Sequence, residues 1–203
     1  MSERWVTPVT LTGQHVLLEP MALEHVDELS AAASDGRLWE LWYTTVAAPE
    51  AMAASVSQAL ARRERDGEMP FIVREAADGR PIGSTRFCNV EAERQRLEIG
   101  YTWYSASYQR TAVNTECKLL LLGHAFETLG AIAVEFRTHW FNHASREAIA
   151  RLGAKQDGVL RNHQRLADGS YRDTVVFSII NHEWAAVKQH LRFRLARHQA
   201  SSR

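Results

Sequence analysis

Strand-like and helix-like hydrophobic patterns follow one another along the chain without a long interruption. Residues 14–20 (QHVLLEP) have the composition of a strand, and residues 22–35 carry apolar side chains at helical spacing. A second helix is predicted from about Glu50 to Arg65, where Gly67 ends it. An aromatic-rich connection, LWELWYTTVAAP (38–49), separates the two predicted helices.

Three consecutive strands are predicted next, at residues 70–76, 82–90 and 96–105, with the turn sequence DGRP between the first two. The third strand contains RLEIGYTWYS, and side chains in a strand alternate between its two faces. This alternation predicts one face made of Leu97, Ile99, Tyr101 and Trp103. The opposite face is then made of Glu98, Gly100 and Thr102.

The remaining chain alternates between the two element types. A helix over 114–130, a strand over 131–138, a helix over 142–153, a hairpin and a final helix from about His182 are predicted. Three consecutive meander strands exclude a purely parallel, doubly wound sheet. The order predicts an α+β fold: one domain over 1–203 with its core at about 10–190. Its mixed, mostly antiparallel sheet has about seven strands flanked by helices, with an extra C-terminal helix.

Composition narrows the functional classes. The 24 Lys and Arg residues balance the 24 Asp and Glu residues, so bulk charge favours neither nucleic acid nor an anionic membrane as a partner. Two cysteines are too few for a disulfide framework and lack metal-site spacing. The N-terminal residues do not resemble a signal peptide, and the longest aliphatic run is far too short to span a bilayer. We therefore expect a soluble, cytoplasmic protein.

The segment SYQRTAVNTE joins the third meander strand to a leucine-rich helix and permits two interpretations. If its backbone N–H groups converge at the start of the helix, they would form a cradle for a pyrophosphate. The segment contains no glycine and neither of the common phosphate-loop motifs. The alternative is an ordinary connection, with Asn114 or Thr115 as the helix N-cap.

Glu98 and Gly100 also permit either a structural or a functional interpretation. Glycine weakens a strand and often marks a bulge or a close approach of the backbone. A carboxylate on the same face is either a solvated residue at a sheet edge or a general base over a cleft, with its pKa raised by partial burial.

Taken together, these elements resemble the GNAT superfamily of acetyl-coenzyme A-dependent N-acetyltransferases, and in particular the ribosomal-protein N-terminal acetyltransferase branch. That branch has a loop Q-G-T-G-V-N-T-E before a helix ending H-A-F-E-x-L-G; here the segment is QRTAVNTECKLLLLGHAFETLG (109–130). Downstream, the N-x-x-S helix, the R-L-G-A-x-x-x-G-V-L-R segment and the last hairpin also match. The resemblance covers about residues 10 to 190.

The resemblance implies an acetyl-CoA site. The main chain of the third meander strand would bind the pantetheine arm, the loop would bind the pyrophosphate, and Asn142 would bind near the pantetheine. The implied cofactor-binding residues are Ile99, Gly100, Tyr101, Thr102, Trp103, Gln109, Arg110, Thr111, Ala112, Val113, Asn114, Thr115 and Asn142. Glu98 is implied as the base, and Ser145 as the proton donor to the leaving thiolate.

Three positions depart from the family pattern. Arg110 and Ala112 stand where members of the family usually have glycine, and either change could alter cofactor affinity. Ile149 occupies the position at which many relatives have a tyrosine acid. These departures leave open a second hypothesis, a catalytically weak or inactive CoA-binding module that acts as a sensor or interaction domain.

The acceptor is expected to be a primary amine, either a peptide or protein N-terminus or a small amine. Trp39, Trp42 and Tyr43 lie where the family places its acceptor pocket, although aromatic clusters at helical spacing are commonly core residues. His139 and His143 lack a supporting carboxylate pattern, so we expect no metal site. Apolar residues on the last hairpin and final helix would suit a homodimer.

Overall fold

One eight-stranded sheet organises the chain in the computed structural model, which describes residues 4–166 and 168–201. The strands are β1 (Leu11–Thr12), β2 (Val16–Pro20), β3 (Met69–Glu75), β4 (Pro81–Glu91), β5 (Arg96–Tyr104), β6 (Ala133–His139), β7 (Lys155–Arg165) and β8 (Tyr171–Ile180). Their order is β1-β2-β3-β4-β5-β6-β8-β7, and only the β5–β6 pair is parallel. The predicted α+β fold with a mixed sheet is confirmed. The strand beyond the predicted seven is the two-residue edge strand β1.

Helices cover both faces of this sheet. They are α1 (Val26–Ser34), α2 (Met52–Asp66), α3 (Ala112–Gly123), α4 (His143–Arg151) and α5 (Asn181–Ser201). Helix α3 continues into a π-helical turn, His124–Thr128. None of the described helices is long and apolar enough to cross a membrane.

The buried residues form a separate core on each face. Leu121 of α3, Ile149 of α4 and Leu191 of α5 belong to the larger core. Leu29 of α1 and Val56 of α2 belong to the smaller one. We call the second side of the sheet the α1–α2 face. Burial of apolar side chains on both faces is the main favourable contribution to folding.

The central strands β5 and β6 pair over only three positions. Arg96 pairs with Ala133, Leu97 with Val134 and Glu98 with Glu135, and the pairing ends there. Strand β5 nevertheless continues to Tyr104 and β6 to His139. The two strands therefore separate beyond Glu98 and open a cleft in the middle of the sheet, as the family resemblance implies.

A β-bulge on β5 lies beside this cleft. Ser84 of β4 pairs with Trp103, and Arg86 pairs with Gly100, so β5 has one residue more than β4 in the interval. Tyr101 occupies the bulge with a left-handed φ of 51°. A left-handed conformation is uncommon for residues other than glycine, and a bulge that contains one bends and twists its strand.

The bulge overturns the alternation predicted for this strand. Leu97 and Ile99 belong to the larger core as expected, but Trp103 packs against the smaller core on the α1–α2 face. Thr102 points the other way, because its hydroxyl contacts Lys118 on α3. The predicted faces are correct through Gly100, which lies on the side of Glu98, and wrong from Tyr101 onward, since the extra residue reverses the side-chain direction.

Glu116 on α3 fixes the edge of the sheet to the helix. Its carboxylate accepts N–H groups from Gln14 at 2.9 Å, His15 at 2.6 Å and Val16 at 2.9 Å. At Gly13, a Cβ atom would lie 2.5 Å from the same carboxylate, so only glycine leaves room for it. The three charge-assisted hydrogen bonds satisfy a buried carboxylate and hold β2 against α3.

Lys118, two residues later, is buried beneath the bulge with only 4% of its surface exposed. Its Nζ lies 2.6 Å from Thr102 Oγ1 and 3.4 Å from Thr85 Oγ1. Burial lowers the pKa of Lys118 to about 8 from an ordinary value of 10.5. No carboxylate is paired with this ammonium among the described residues, so its two hydroxyl contacts are its main compensation for lost hydration.

Lys118→Met should change how stability depends on pH. Between pH 8 and 10.5 the unfolded chain retains the Lys118 proton that the folded chain has lost, so this residue makes stability rise with pH. The free energy of unfolding of the wild type relative to Lys118→Met should increase by about 2–3 kcal/mol from pH 7 to pH 10. Urea unfolding of both proteins at constant ionic strength measures this difference, and an unchanged difference would contradict the assigned environment.

Candidate active site

Ionisable side chains lie on the α1–α2 face of the sheet, at the cleft between β5 and β6. Phe136 and Val175 point into the larger core, so the alternate positions on β6 and β8 face the opposite way. Those positions include Arg137, His139 and Arg172. Glu98 of β5 joins them at the apex, where the two central strands separate.

Glu98 is buried, with 7% of its surface exposed, so it is not a solvated edge residue. Asn89 Nδ2 donates a 2.7 Å hydrogen bond to Glu98 Oε2, and Arg137 Nε lies 3.5 Å from the same oxygen. Burial raises the pKa of Glu98, while the Asn89 hydrogen bond and the Arg137 charge oppose that rise. A carboxylate with a raised pKa can accept a proton near neutral pH.

Gly100 makes room for this carboxylate. A Cβ atom at Gly100 would lie 2.9 Å from Glu98 Oε1 and 2.9 Å from Cys88 Sγ. A side chain of any size would therefore push the Glu98 carboxylate out of its position. The glycine in this strand is explained by close packing.

The loop between β5 and α3 turns at Arg110, whose φ is 62°. Thr111 is the helix N-cap and accepts the Val113 N–H at 3.3 Å, so α3 begins at Ala112. The predicted caps Asn114 and Thr115 are wrong, because both lie inside the helix. The left-handed conformation therefore falls on Arg110, where it costs about 1–2 kcal/mol.

The remaining loop residues occupy two different settings. Gln109 precedes the turn, and its Nε2 donates to the Tyr104 carbonyl at 3.2 Å. Ala112, Val113 and Asn114 form the first turn of α3, whose N–H groups carry the positive end of the helix dipole. Ala112 is helical and needs no glycine.

Asn142 and Ser145 lie at the start of α4. Asn142 is the N-cap, and its Oδ1 accepts the Ser145 N–H at 3.0 Å. The Ser145 side chain is partly buried in the first turn of the helix. Arg146 stacks on Trp140, with 4.3 Å from its Cζ to the ring centroid, so this arginine is held against the β6–α4 connection.

An aromatic cluster lies at the end of β6. Trp42 contacts His139 edge to face at a centroid distance of 5.0 Å, and Phe141 stacks on the same imidazole at 5.8 Å. Tyr43 lies 5.6 Å from Trp42 and 6.4 Å from His139. Trp39 lies in the 3-10 turn Leu38–Glu40 and has no ring contact with this cluster in the described structure. The structure thus brings Trp42 and Tyr43 to the cleft together.

Sequence reasoning missed three residues of the site: Asn89, Arg137 and Arg172. The alternation in VEFRTH (134–139) contained a signal, because it places Arg137 and His139 on the polar face of the strand. Arg172 shares the corresponding face of β8. Their approach to Glu98 depends on strand order, which periodicity alone does not give.

Metal chemistry has no candidate ligand set here. Among residues 4–166 and 168–201, the described side chains contain no group of three or more His, Cys, Asp or Glu residues arranged to hold a metal ion.

Comparisons with known proteins agree with this architecture. The family model of the acetyltransferase (GNAT) domain matches residues 15–155. A protein from T. thermophilus assigned to the acetyltransferases is 35% identical, with a TM-score of 0.82 and coverage of 94% of this chain and 99% of that one. The probable N-acetyltransferase YjcK of Bacillus subtilis is 23% identical over an alignment of 177 residues, and the match covers 84% of this chain and 97% of YjcK.

A structure of RimJ from Mycobacterium smegmatis in complex with CoA-disulfide shares the fold. Its TM-score is 0.76 at 19% identity, and the match covers 91% of this chain and 93% of RimJ. The match to the family model covers more than half of the sequence, and the sheet separates at its centre. The chain therefore belongs to the GNAT acetyltransferase family.

Proposed function

We propose that this acyltransferase moves an acetyl group from acetyl-CoA to a primary amine in a ternary complex. The observation that carries the proposal is the cleft beyond Glu98, where a buried carboxylate lies beside an unpaired strand edge. A base and an extended binding edge are the two features that direct acyl transfer to an amine requires.

The described residues fit acetyl-CoA. Beyond Glu98 the edge of β5 facing β6 has no strand partner, and it can bind the amide groups of a pantetheine arm through the main chain of Ile99–Trp103. The loop Gln109–Thr115 leads into the N-terminus of a 12-residue helix, which favours an anionic pyrophosphate. Asn142 lies near the pantetheine in this arrangement. The CoA-disulfide in RimJ supports the assignment by similarity of fold.

When bound, acetyl-CoA supplies an activated acetyl thioester. Glu98 takes a proton from the acceptor ammonium, directly or through a water molecule, and so provides a neutral amine. The acetyl group would then move from sulfur to nitrogen, with a C–N bond formed, the C–S bond broken and the second amine proton released to solvent. The Tyr101 N–H would polarise the acetyl carbonyl, and Ser145 would pass a proton from solvent to the departing thiolate.

Ser145 takes this role because Ile149 cannot. Ile149 lies on α4 in the larger core and has no ionisable group. Ser145 is one turn earlier on α4 and keeps its hydroxyl free of hydrogen bonds within the described residues. A hydroxyl is a weaker acid than a tyrosine phenol, so we expect Ser145 to act together with solvent.

Calorimetric titration with acetyl-CoA, followed by thiol-release assays against amines and peptides, tests the proposal. We expect saturable binding and turnover on at least one primary amine. Absence of acetyl-CoA binding would overturn the proposal. Binding without turnover on any amine would instead favour a CoA-binding module, the function to which the strained Arg110 turn and the lack of an acid at Ile149 point.

Glu98→Gln should lower kcat by about 10²-fold or more, because it removes the proton acceptor. In the wild type, the rate should rise with pH as Glu98 ionises. Asn89→Gly removes the hydrogen bond that favours the ionised carboxylate and should move that rise upward by about one pH unit. A control is Asn162→Gly, since both asparagines have left-handed φ angles, 46° and 49°. An unshifted profile for Asn89→Gly would refute Glu98 as the base.

Arg110→Gly should stabilise the free protein by about 1 kcal/mol, because it relieves the left-handed arginine. Urea unfolding measures this change, with Arg110→Ala as the control that removes the cation but keeps the strain. If Arg110 also contacts a phosphate, both variants should lose acetyl-CoA affinity equally. A destabilised Arg110→Gly protein would contradict the assigned turn.

A further inference from the structure

We propose that the acceptor is an amino acid whose carboxylate is held by Arg172 and His139 while its amine faces Glu98. This inference rests on the proposed acetyl transfer and specifies the substrate class of the same site. It also identifies two specificity-determining residues on the α1–α2 face of the cleft.

Arg172 makes no salt bridge with any described residue. Its Nε donates to Thr174 Oγ1 at 3.0 Å, but within the described part of the chain the guanidinium makes no ion pair and its terminal nitrogens donate no hydrogen bond. The neighbouring arginines differ: Arg137 pairs with Glu135 at 2.9 Å, and Arg161 pairs with Asp173. Arg172 thus has terminal guanidinium donors to offer a ligand.

The cost of burying Arg172 is offset only in part by the charge of Glu98, with which it forms no salt bridge. The residue is partly buried, and this burial lowers the pKa of its guanidinium. Burying a charge without a partner costs free energy. An anion that entered the cleft would recover that cost, and two parallel N–H groups of a guanidinium fit the two oxygens of a carboxylate.

The charge of Arg172 also reaches the proposed base. It lowers the pKa of Glu98 and the pKa of His139. Arg172 Nε contacts Thr174, and Thr174 pairs with His139 across β6 and β8, so a carboxylate bound to Arg172 would lie beside His139 on the face of the cleft that holds Glu98. The amine and the carboxylate of an amino acid are separated by a single carbon atom, which suits two recognition groups that are neighbours.

His139 supplies a second donor. Its Nδ1 accepts the Phe141 N–H at 3.1 Å, which places the imidazole proton on Nε2. The residue is 3% exposed, and Nε2 has no hydrogen-bond partner among the described residues. Burial lowers the pKa of His139, as does Arg172, so the ring is a neutral donor.

Two aromatic side chains, those of Trp42 and Phe141, pack against the His139 imidazole. Trp42 lies edge to face on His139 and is itself 59% exposed on the α1–α2 connection, so it can move aside for a ligand. Phe141 is similarly exposed beside the imidazole. These rings would bind an apolar side chain of the amino acid. A peptide N-terminus fits less well, because it presents a neutral carbonyl where Arg172 and His139 offer a cation and a second donor.

Acetylation of L-phenylalanine and of phenethylamine tests the proposal, because these acceptors differ by the carboxylate alone. We expect Arg172→Gln to reduce kcat/KM for L-phenylalanine by about tenfold or more, and that for phenethylamine by about twofold at most. Comparing each acceptor across variants cancels the difference in amine basicity. The assays are run at alkaline pH, so that Glu98 is ionised in both the wild type and Arg172→Gln. Arg161→Gln is the matched control, since it removes a nearby arginine that already has a partner.

His139→Phe keeps the aromatic packing and removes the donor, so it should lower kcat/KM for L-phenylalanine several-fold more than for phenethylamine. Equal losses on both acceptors, from either variant, would overturn the carboxylate assignment. A preference for peptides over free amino acids in the wild type would also overturn it.

Binding provides a readout that does not need turnover. In the presence of CoA, hydrocinnamate should bind the wild type about tenfold or more tightly than hydrocinnamyl alcohol, and Arg172→Gln should abolish the difference. If hydrocinnamate binds in this way but no amine is acetylated, the proposed anion site is supported and the proposed acetyl transfer is contradicted. If amines are acetylated without any carboxylate preference, the proposed acetyl transfer is supported and the proposed anion site is contradicted.

Discussion

The separation of β5 from β6 is the constraint on which the site depends. Three parallel pairs hold the strands together, and the last of them joins Glu98 to Glu135. Beyond that pair, the bulge at Tyr101 bends β5, so the strand leaves an unpaired edge. The proposed base, the proposed binding edge and the polar residues of the α1–α2 face all owe their positions to this split in the sheet.

Helix α3 stabilises the part of the sheet where β5 separates from β6. Its first turn forms one end of the proposed pyrophosphate loop, Glu116 fixes β2, and Lys118 lies under the bulge with its ammonium on Thr102. One short motif therefore serves the fold and the proposed ligand site together. This explains why the resemblance in residues 109–130 is specific even though two family glycines are absent.

Hydrophobic periodicity was sufficient to locate the main strands and helices, because each has one apolar face. It was not sufficient at Tyr101, where an inserted residue breaks the two-residue period and sends Thr102 and Trp103 to opposite faces from those predicted. The N-cap was misplaced for a similar reason. Thr111 caps α3 because the left-handed turn falls on Arg110, and no pattern of residue types revealed that backbone angle.

The sequence indicated some of the residues that lie at the candidate site. Glu98 and Gly100 stood out because a carboxylate and a glycine interrupt a strongly β-like strand, and their packing explains both. Arg172 did not stand out, because it is 74 positions from Glu98 in sequence and comes near it only through the β6–β8 pairing. The roles assigned to these residues stay proposals that follow from burial, charge and position.

Amide hydrogen exchange with and without acetyl-CoA tests the central claim most directly. If the cleft beyond Glu98 binds the donor, exchange should slow at residues 99–103 and 109–115, while α5 and the β1–β2 edge stay unchanged. Slowed exchange confined to other parts of the sheet, with unchanged rates in both of those segments, would contradict the account.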